Sequence, residues 1–546
     1  MTAPTWYKDA VFYELYVRAF RDSNGDGHGD LPGLTQRLDY LQSLGVTCLW
    51  LQPIYPSPLL DDGYDIADYY GVHPDFGTLD DFRRLMVAAK RRGLRVVADL
   101  VVNHTSDQHP WFQAARADRH SPYRDYYVWS DTPDKYPDAR IIFLDTETSN
   151  WTFDPVAGQY FWHRFYSSQP DLNFDNPAVQ AEMLKVMAFW LDLGLDGFRV
   201  DAVPYLFERE GTTGENLPET HAYLKRMRAF VDQHYPEAVL LAEANQWPAD
   251  LRPYFGDGDE FHLAFHFPVM PRLFMALARG TAAPIVEIMR ATPPIPPSAQ
   301  WCTFLRNHDE LTLEMVTEAE RQWLWNFYAP EPRMRQNLGI RRRLAPLLGG
   351  DWRKLELANA LLFSLPGTPI FYYGDEIGMG DNIWLDDRDG LRTPMQWDAG
   401  PNAGFSAAPA DKLYAPVIAS GPFAYERVNL AAQLADPTSL WHRLRRLVEI
   451  RKAHPAFGWG DFAFLDQLPP SVFGIMRRHA RQVVVALHNL TAGPQTVSLD
   501  PAREPALAGL LGAALTDTLT GQPAGRMELR RFTLQPYAYF WLTAEA

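Results

Sequence analysis

Cysteine is nearly missing. It occurs twice in 546 residues, at Cys48 and Cys302. Both lie within apolar strand-like runs, where a free thiol behaves as a small buried hydrophobe, so no disulfide framework is expected. Long apolar runs are missing too. No segment approaches 18 uninterrupted apolar residues and Met1 to Lys8 has no apolar export core, so neither membrane spanning nor secretion is expected and the cytoplasm is the expected compartment. A basic excess is also absent. The formal net charge of −16 disfavours nucleic acid and anionic membrane as partners and fits a neutral ligand better. Internal repeats and low-complexity tracts are not evident. What remains is an ordinary globular composition, 47% hydrophobic and 22% charged, in a chain long enough for two or three domains, one the size of a full barrel.

Strand-like runs alternate with amphipathic helices. The runs begin at Val11 to Leu15, Val46 to Leu51 and Arg95 to Val102. Helices follow around Leu34, Leu38 and Leu41 and over Leu79 to Arg92, the second closed by Gly93. Such alternation, rich in Val, Ile and Leu, predicts a parallel sheet covered on both faces. It stops between His104 and about Asn173, a stretch rich in Asp, Tyr, Trp, Ser and Pro that reads as a lid or small subdomain. It resumes with a helix over Pro177 to Leu193 and strands at Gly197 to Asp201, Ala238 to Glu243, Glu260 to Phe265, Trp301 to Arg306 and Pro369 to Tyr373. Irregular stretches are expected near Glu310 to Gly350 and Gly378 to Val428. After a helix near Ser439 to Lys452, short alternating runs such as Gln482 to His488 read as an antiparallel sandwich. The expected fold is α/β: a (β/α)8 TIM barrel over 1–104 and 174–455, an inserted lid subdomain over 105–173 and a C-terminal antiparallel β-sandwich over 456–546.

Gly197-Phe-Arg199-Val-Asp201-Ala ends a buried strand by presenting a carboxylate beside a guanidinium, and strand C-terminal ends carry the chemistry of such barrels. Together with Asp99-Leu-Val-Val-Asn-His104, with Glu243 closing Leu-Leu-Ala-Glu, and with Asn307-His308-Asp309, it resembles the four ordered signature regions of the α-amylase superfamily, glycoside hydrolase family thirteen. Gln169-Pro-Asp-Leu-Asn173 and Gly367-Thr-Pro-Ile-Phe-Tyr-Tyr-Gly-Asp-Glu376 extend the likeness over essentially the whole chain. The chemistry asks for such a set: retaining glycoside cleavage needs one ionised and one protonated carboxyl close together. The resemblance implies Asp201 as nucleophile, Glu243 as acid/base and Asp309 as the carboxylate that grips the sugar 2- and 3-hydroxyls most strongly as the ring distorts. Arg199, on the same strand face as Asp201, would keep it ionised.

The same resemblance implies that His104 and His308 grip that ring, that Asp61 takes the 4-hydroxyl, that Tyr64 stacks beneath the sugar and that Arg392 pairs with Asp61. Phe165 matches an aromatic flanking the scissile bond. Asp22-Ser-Asn24-Gly-Asp26-Gly27-His28-Gly-Asp30 alternates oxygen ligands with glycines but has Gly33 where an EF-hand loop needs glutamate. By resemblance it is a structural Ca²⁺ loop, with side chains of Asp22, Asn24, Asp26 and Asp30 and the carbonyl of His28; five oxygens favour Ca²⁺ over Mg²⁺. No organic cofactor is implied.

Within the family, Phe304 to Met315, Gly378 to Arg392 and the small Ala202 after Asp201 resemble members that isomerise maltose to trehalose. That implies a disaccharide as the small-molecule partner, with Asn245, Glu310 and the stretch near Trp384 and Asp386 holding the departing glucose. The alternatives are an α-glucosidase acting on short α-1,4-glucans and a non-catalytic amylase-like accessory subunit, the latter opposed by the intact carboxylates. Whether the chain forms a homo-oligomer or binds a maltokinase stays open.

Overall fold

A computed structural model describes residues 5–528 and 530–545. The first four residues of the expected barrel span, and Leu529 and Ala546 of the expected sandwich span, lie outside them. Eight parallel strands close into a barrel: β1 Phe12–Leu15, β2 Cys48–Leu51, β3 Arg95–Val101, β4 Gly197–Asp201, β5 Val239–Ala242, β6 Leu263–Phe265, β7 Gln300–Phe304 and β8 Thr368–Tyr372. Each neighbours the next in sequence order, and β1 closes on β8 through Glu14↔Tyr372. The strands fall in the expected apolar runs with shifted ends, Glu260 to Phe265 shrinking to Leu263–Phe265. Their apolar side chains, Trp50, Phe198 and Phe265 among them, are buried in one continuous core. Cys48 and Cys302 are free and buried in β2 and β7. No helix among the described residues is long and apolar enough to cross a membrane.

Three local expectations change. The helix expected through Leu34, Leu38 and Leu41 is two helices, Leu31–Gln36 and Leu38–Leu44. They meet at Arg37, whose guanidinium turns over the Trp397 ring at 4.3 Å. The stretch 310–350 is not irregular throughout: it holds a helix, Glu318–Tyr328, opened by a Thr317/Glu320 capping box, and a small sheet of Leu311–Thr312, Arg335–Gln336 and Gly339–Ile340. The insertion after β3 carries a helix, Pro110–Ala117, against an antiparallel sheet of Trp129–Ser130, Gln159–Trp162 and Trp151–Asp154. Phe112 seals that joint against Tyr127 and Phe161.

The C-terminal region pairs a six-stranded sheet, assembled between Asp461 and Glu545, with a two-stranded one, Gln495–Leu499 and Arg530–Leu534. Both are antiparallel, and between them Val483, Val485, Leu487, Val497, Leu499 and Leu534 form a separate core, the layering of a sandwich. Two buried arginines lie at the junction of this region with the barrel, neither with a carboxylate partner among the described residues, and the second of them, Arg477, crosses it. Arg451 donates to the carbonyls of Phe363 and Gly367 at 2.7 and 2.6 Å. Arg477 donates to those of Ser364 and Gly460 at 3.2 and 2.9 Å. Phe363 and Ser364 end the helix Trp352–Ser364, where unpaired carbonyls and the negative end of the helix dipole favour cations. Burial lowers both guanidiniums, Arg451 to about 10 and Arg477 to about 9.

Candidate active site

The strand β4 is buried along its whole length. It begins at Gly197, whose φ of +148° and whose missing Cβ, which would stand 2.1 Å from the Val239 carbonyl oxygen, require glycine. Period-two alternation then points Arg199 and Asp201 into the barrel mouth. Arg199 Nη1 lies 2.6 Å from both Asp99 Oδ1, on β3, and Asp201 Oδ1, while Nη2 pairs with Glu243 Oε1 beyond β5. One guanidinium therefore holds Asp201 and Glu243 side by side. Ala202, in the left-handed region at φ +51°, turns its N–H onto Glu243 Oε2 at 3.2 Å.

Burial sets the protonation of this pair against the pull of Arg199. It raises Asp201 to about 6 and Glu243 to about 7, the latter also feeling the Asp201 charge. That order makes Asp201 the more readily ionised and Glu243 the more readily protonated member of the pair. Asp309, just beyond β7, behaves in the opposite way. Burial would raise it, but His308, Arg388 and Arg392 outweigh that and hold it well below the usual carboxylate range. His308 faces Asp309 Oδ2 through Nε2 at 3.1 Å and Glu14 of β1 through Nδ1 at 2.5 Å. Tyr64 stacks on the His308 ring at 5.1 Å and donates its hydroxyl to Asp99 Oδ2 at 3.0 Å.

These groups line a half-open pocket of about 820 Å³. Of the residues singled out from the sequence, Asp61, Tyr64, His104, Phe165, Asp201, Glu243, Asn245, His308, Asp309 and Glu310 face it, whereas Arg199 and Arg392 lie behind its wall. Burial drives His104 down to about 3, so the ring is neutral, and its Nε2 has no partner among the described residues. Phe165 packs against it at 5.2 Å. Asn245 donates to Thr312 Oγ1 at 3.0 Å and leaves its buried Oδ1 unpaired. Burial raises Glu310 to about 7.

The expected pairing of Arg392 with Asp61 is incorrect. Arg392 Nη1 meets the neighbouring Asp62 at 2.7 Å and its Nη2 meets Asp309 at 3.2 Å. Asp61 is held instead by Arg388, at 2.6 Å, and by Gln169 Nε2, at 2.8 Å. Across the turn Asp389–Leu391, Arg388 reaches Asp61 and Arg392 reaches Asp62 while both meet Asp309, and of the two only Arg388 lines the pocket. Trp384 and Asp386 do not line this pocket: Trp384 is 69% exposed and Asp386 is exposed too.

Sequence reasoning also passed over Glu14, Gln169, Arg388, Phe143, Tyr205 and Glu314. Phe143 packs edge-on against Phe165 at 5.5 Å and lies under Arg388 at 5.3 Å. Arg140, from the insertion, joins Glu215 at 2.7 Å, Glu314 at 2.8 Å and the Tyr205 hydroxyl at 3.2 Å. That node ties the insertion to the loops beyond β4 and β7 at the pocket rim.

The Asp22–Asp30 loop stands apart from the pocket. Asp22 accepts from the backbone nitrogens of Asn24, Gly25 and Gly27 at 2.7 to 2.9 Å, and from Ser406 Oγ at 2.5 Å. Asn24 accepts from Asp26 N and Asp26 from His28 N, each at 2.9 Å, with Gly27 taking the sharp turn at φ +100°. Asp30 caps a helix at Gly33 N, 2.6 Å away, and accepts from Ser23. Among the described residues no group of three or more His, Cys, Asp or Glu converges as a metal site. Asp22 already spends its lone pairs on four donors, whereas Asn24, Asp26 and Asp30 keep hard oxygens of the kind a Ca²⁺ ion takes.

A closed parallel barrel with clustered carboxylates at the carboxyl ends of its strands, roofed by an insertion after β3, defines a class of carbohydrate-active barrel enzymes. The chain belongs to the α-amylase family: the family model described as "Alpha amylase, catalytic domain" matches residues 14–328 and 340–460. Residues 469–542 match the C-terminal immunoglobulin-like domain of D-apionate lactonase. The chain is 57% identical to a trehalose synthase/amylase of Mycolicibacterium smegmatis, over 99% of this chain and 93% of that one. It is 52% identical to a trehalose synthase of Thermus thermophilus, over 98% of this chain and 55% of that longer one. Among solved structures, the trehalulose synthase MutB of Pseudomonas mesoacidophila superposes with a TM-score of 0.78 at 31% identity, covering 100% of both chains.

Proposed function

We propose that the chain is an intramolecular glucosyl isomerase that converts maltose to trehalose with minor hydrolysis to glucose. The observation that carries this reading is the single guanidinium of Arg199 holding the carboxyls of Asp201 and Glu243 together at the mouth of the barrel. The names of the relatives at 52–57% identity support the same reaction. Asp201 attacks the anomeric carbon of the non-reducing glucose while Glu243 protonates the departing 4-oxygen, giving a covalent glucosyl-enzyme. The freed glucose stays, turns, and offers its anomeric hydroxyl. Glu243 now accepts that proton, and a second inversion forms the α,α-1,1 bond.

Asp309, His104 and His308 grip the distorting ring, Tyr64 supports it, and Arg388 with Asp61 ends the pocket beyond one glucose. Phe165 flanks the scissile bond, and Asn245 and Glu310 hold the acceptor. Water competes for the intermediate, so closure of the rim decides between isomerisation and hydrolysis. The Arg140 node supports such closure. In this reading residues 1–104 and 174–455 form the catalytic barrel, 105–173 its lid and 456–546 the sandwich. Asp22, Asn24, Asp26, Asp30 and the His28 carbonyl would hold a Ca²⁺ ion whose part is structural.

The test is maltose incubated with isotopically labelled free glucose. A retained acceptor reacts at an effective concentration reaching about 10⁵ M or more in favourable cases, so trehalose should carry little label. Heavy labelling would mean exchange with solvent, and glucose as sole product would make the chain an α-glucosidase.

A further inference from the structure

The barrel carries a carboxylate to which the reaction scheme gives no task. Glu14 of β1 is fully buried, and its Oε1 accepts from the backbone N–H of His308 at 3.2 Å and faces Nδ1 of that ring at 2.5 Å. Across the ring, Nε2 faces Asp309 Oδ2 at 3.1 Å. Each ring nitrogen thus meets a carboxylate oxygen. A neutral imidazole has one N–H and one lone pair, so either tautomer would set a lone pair against a carboxylate; only the imidazolium donates on both sides. The flat Tyr64 ring at 5.1 Å also suits a cation. Burial opposes the charge, but Asp309 and Glu14 outweigh it and hold the ring protonated to about 9.

Of the two carboxylates that meet the His308 ring, Asp309 and then Glu14, only Glu14 has no place in the sugar site. Asp309 follows His308 in sequence, Asp99 reaches that ring from β3 and Glu243 from beyond β5, and Arg392 Nε donates to the His308 carbonyl at 3.1 Å. Asp309 spends its other oxygen on Arg388 and Arg392. Glu14 accepts from Gln52 at 3.3 Å, and its Oε2 has no partner among the described residues, so its bonds to His308 are what hold it.

We propose that Glu14 is a positioning residue: it fixes His308 as a doubly protonated imidazolium and, through that ring, the direction in which Asp309 presents its carboxylate to the sugar. The kinetic part rests on the reading that Asp309 grips substrate; the protonation part does not.

The test begins with the unmodified enzyme, labelled with ¹⁵N-histidine and observed by solid-state NMR, the His308 signals being assigned by their loss in His308→Gln. Both ring nitrogens should carry imidazolium shifts throughout pH 6 to 8, and a neutral ring at pH 7 would overturn the proposal whatever the enzyme makes from maltose. Glu14→Gln keeps the shape and removes the charge. It should let His308 turn neutral in that range, lower kcat on maltose about 10- to 100-fold, as for loss of one charge-assisted hydrogen bond, leave KM within about threefold, and move the pH optimum downward. Glu14→Asp should keep the imidazolium and recover part of kcat. A Glu14→Gln enzyme with the parent's rate and pH profile would refute the proposal.

Discussion

Arg388 and Asp61 form a buried ion pair in the wall of the pocket, Nη2 to Oδ1 at 2.6 Å. The second nitrogen of Arg388 holds Asp309 at 2.7 Å, so one side chain braces both the end wall and a carboxylate that faces the sugar. Stripping one partner from such a pair costs about 2–5 kcal/mol, much of it from the charge left behind.

Arg388→Ala should therefore lower kcat/KM for maltose by roughly 30- to several thousand-fold. A double-mutant cycle should find strong coupling between Arg388 and Asp61 and little between Arg392 and Asp61. Coupling of Asp61 with Arg392 instead would overturn the pairing described here.

Asp201→Asn should cut turnover by at least about 10⁴-fold, as expected for loss of a nucleophile, with the melting curve retained. Glu243→Gln should be similarly damaging on maltose but partly spared on an aryl glucoside, whose leaving group needs no proton. Assays of both variants on both substrates separate the two roles.

The pH dependence follows from the same pair. Asp201 must be ionised and its carboxyl is raised to about 6, so activity should fall as pH drops through 6. Glu243 must be protonated in the first step and is raised to about 7, so activity should also fall as pH rises through 7. The profile of kcat/KM should be a narrow bell, its limbs being properties of the coupled pair. A plateau from pH 5 to 9 would contradict this.

Chelation should lower the unfolding temperature by several degrees, since an ion bound only to the folded state adds about 2.7 kcal/mol at a hundredfold excess over its Kd. An unchanged melting curve together with a calcium-free metal analysis would remove the ion from the proposal.

The barrel was legible because its strands are short, mostly apolar runs between turn signals, and three carboxylates, Asp201, Glu243 and Asp309, stand at or just past the ends of such runs. The errors lie where periodicity ends. Asp61 and Asp62 are adjacent, Arg388 and Arg392 four apart, and a sequence cannot say which arginine meets which aspartate; a short 3₁₀ turn decides it. Phe143, Tyr205 and Glu314 lie outside the regular strands and long helices, so their convergence on the pocket is purely tertiary. Glu14 sat in plain view within an apolar strand, and a buried carboxylate there was itself a signal. The stretch near Trp384, expected by resemblance to hold the departing glucose, has Trp384 facing solvent, under the Arg333 guanidinium at 5.1 Å.

The carbonyl-bound arginines bear on where this chain can be cut. The two family matches end and begin at residues 460 and 469, leaving a seam between them. Arg477, from the far side of that seam, supplies hydrogens to Ser364 and Gly460 on the near side. Severing the chain there would strand acceptors at a helix end and a cation in the detached piece. The family matches part at this seam, and the hydrogen-bonded unit runs across it.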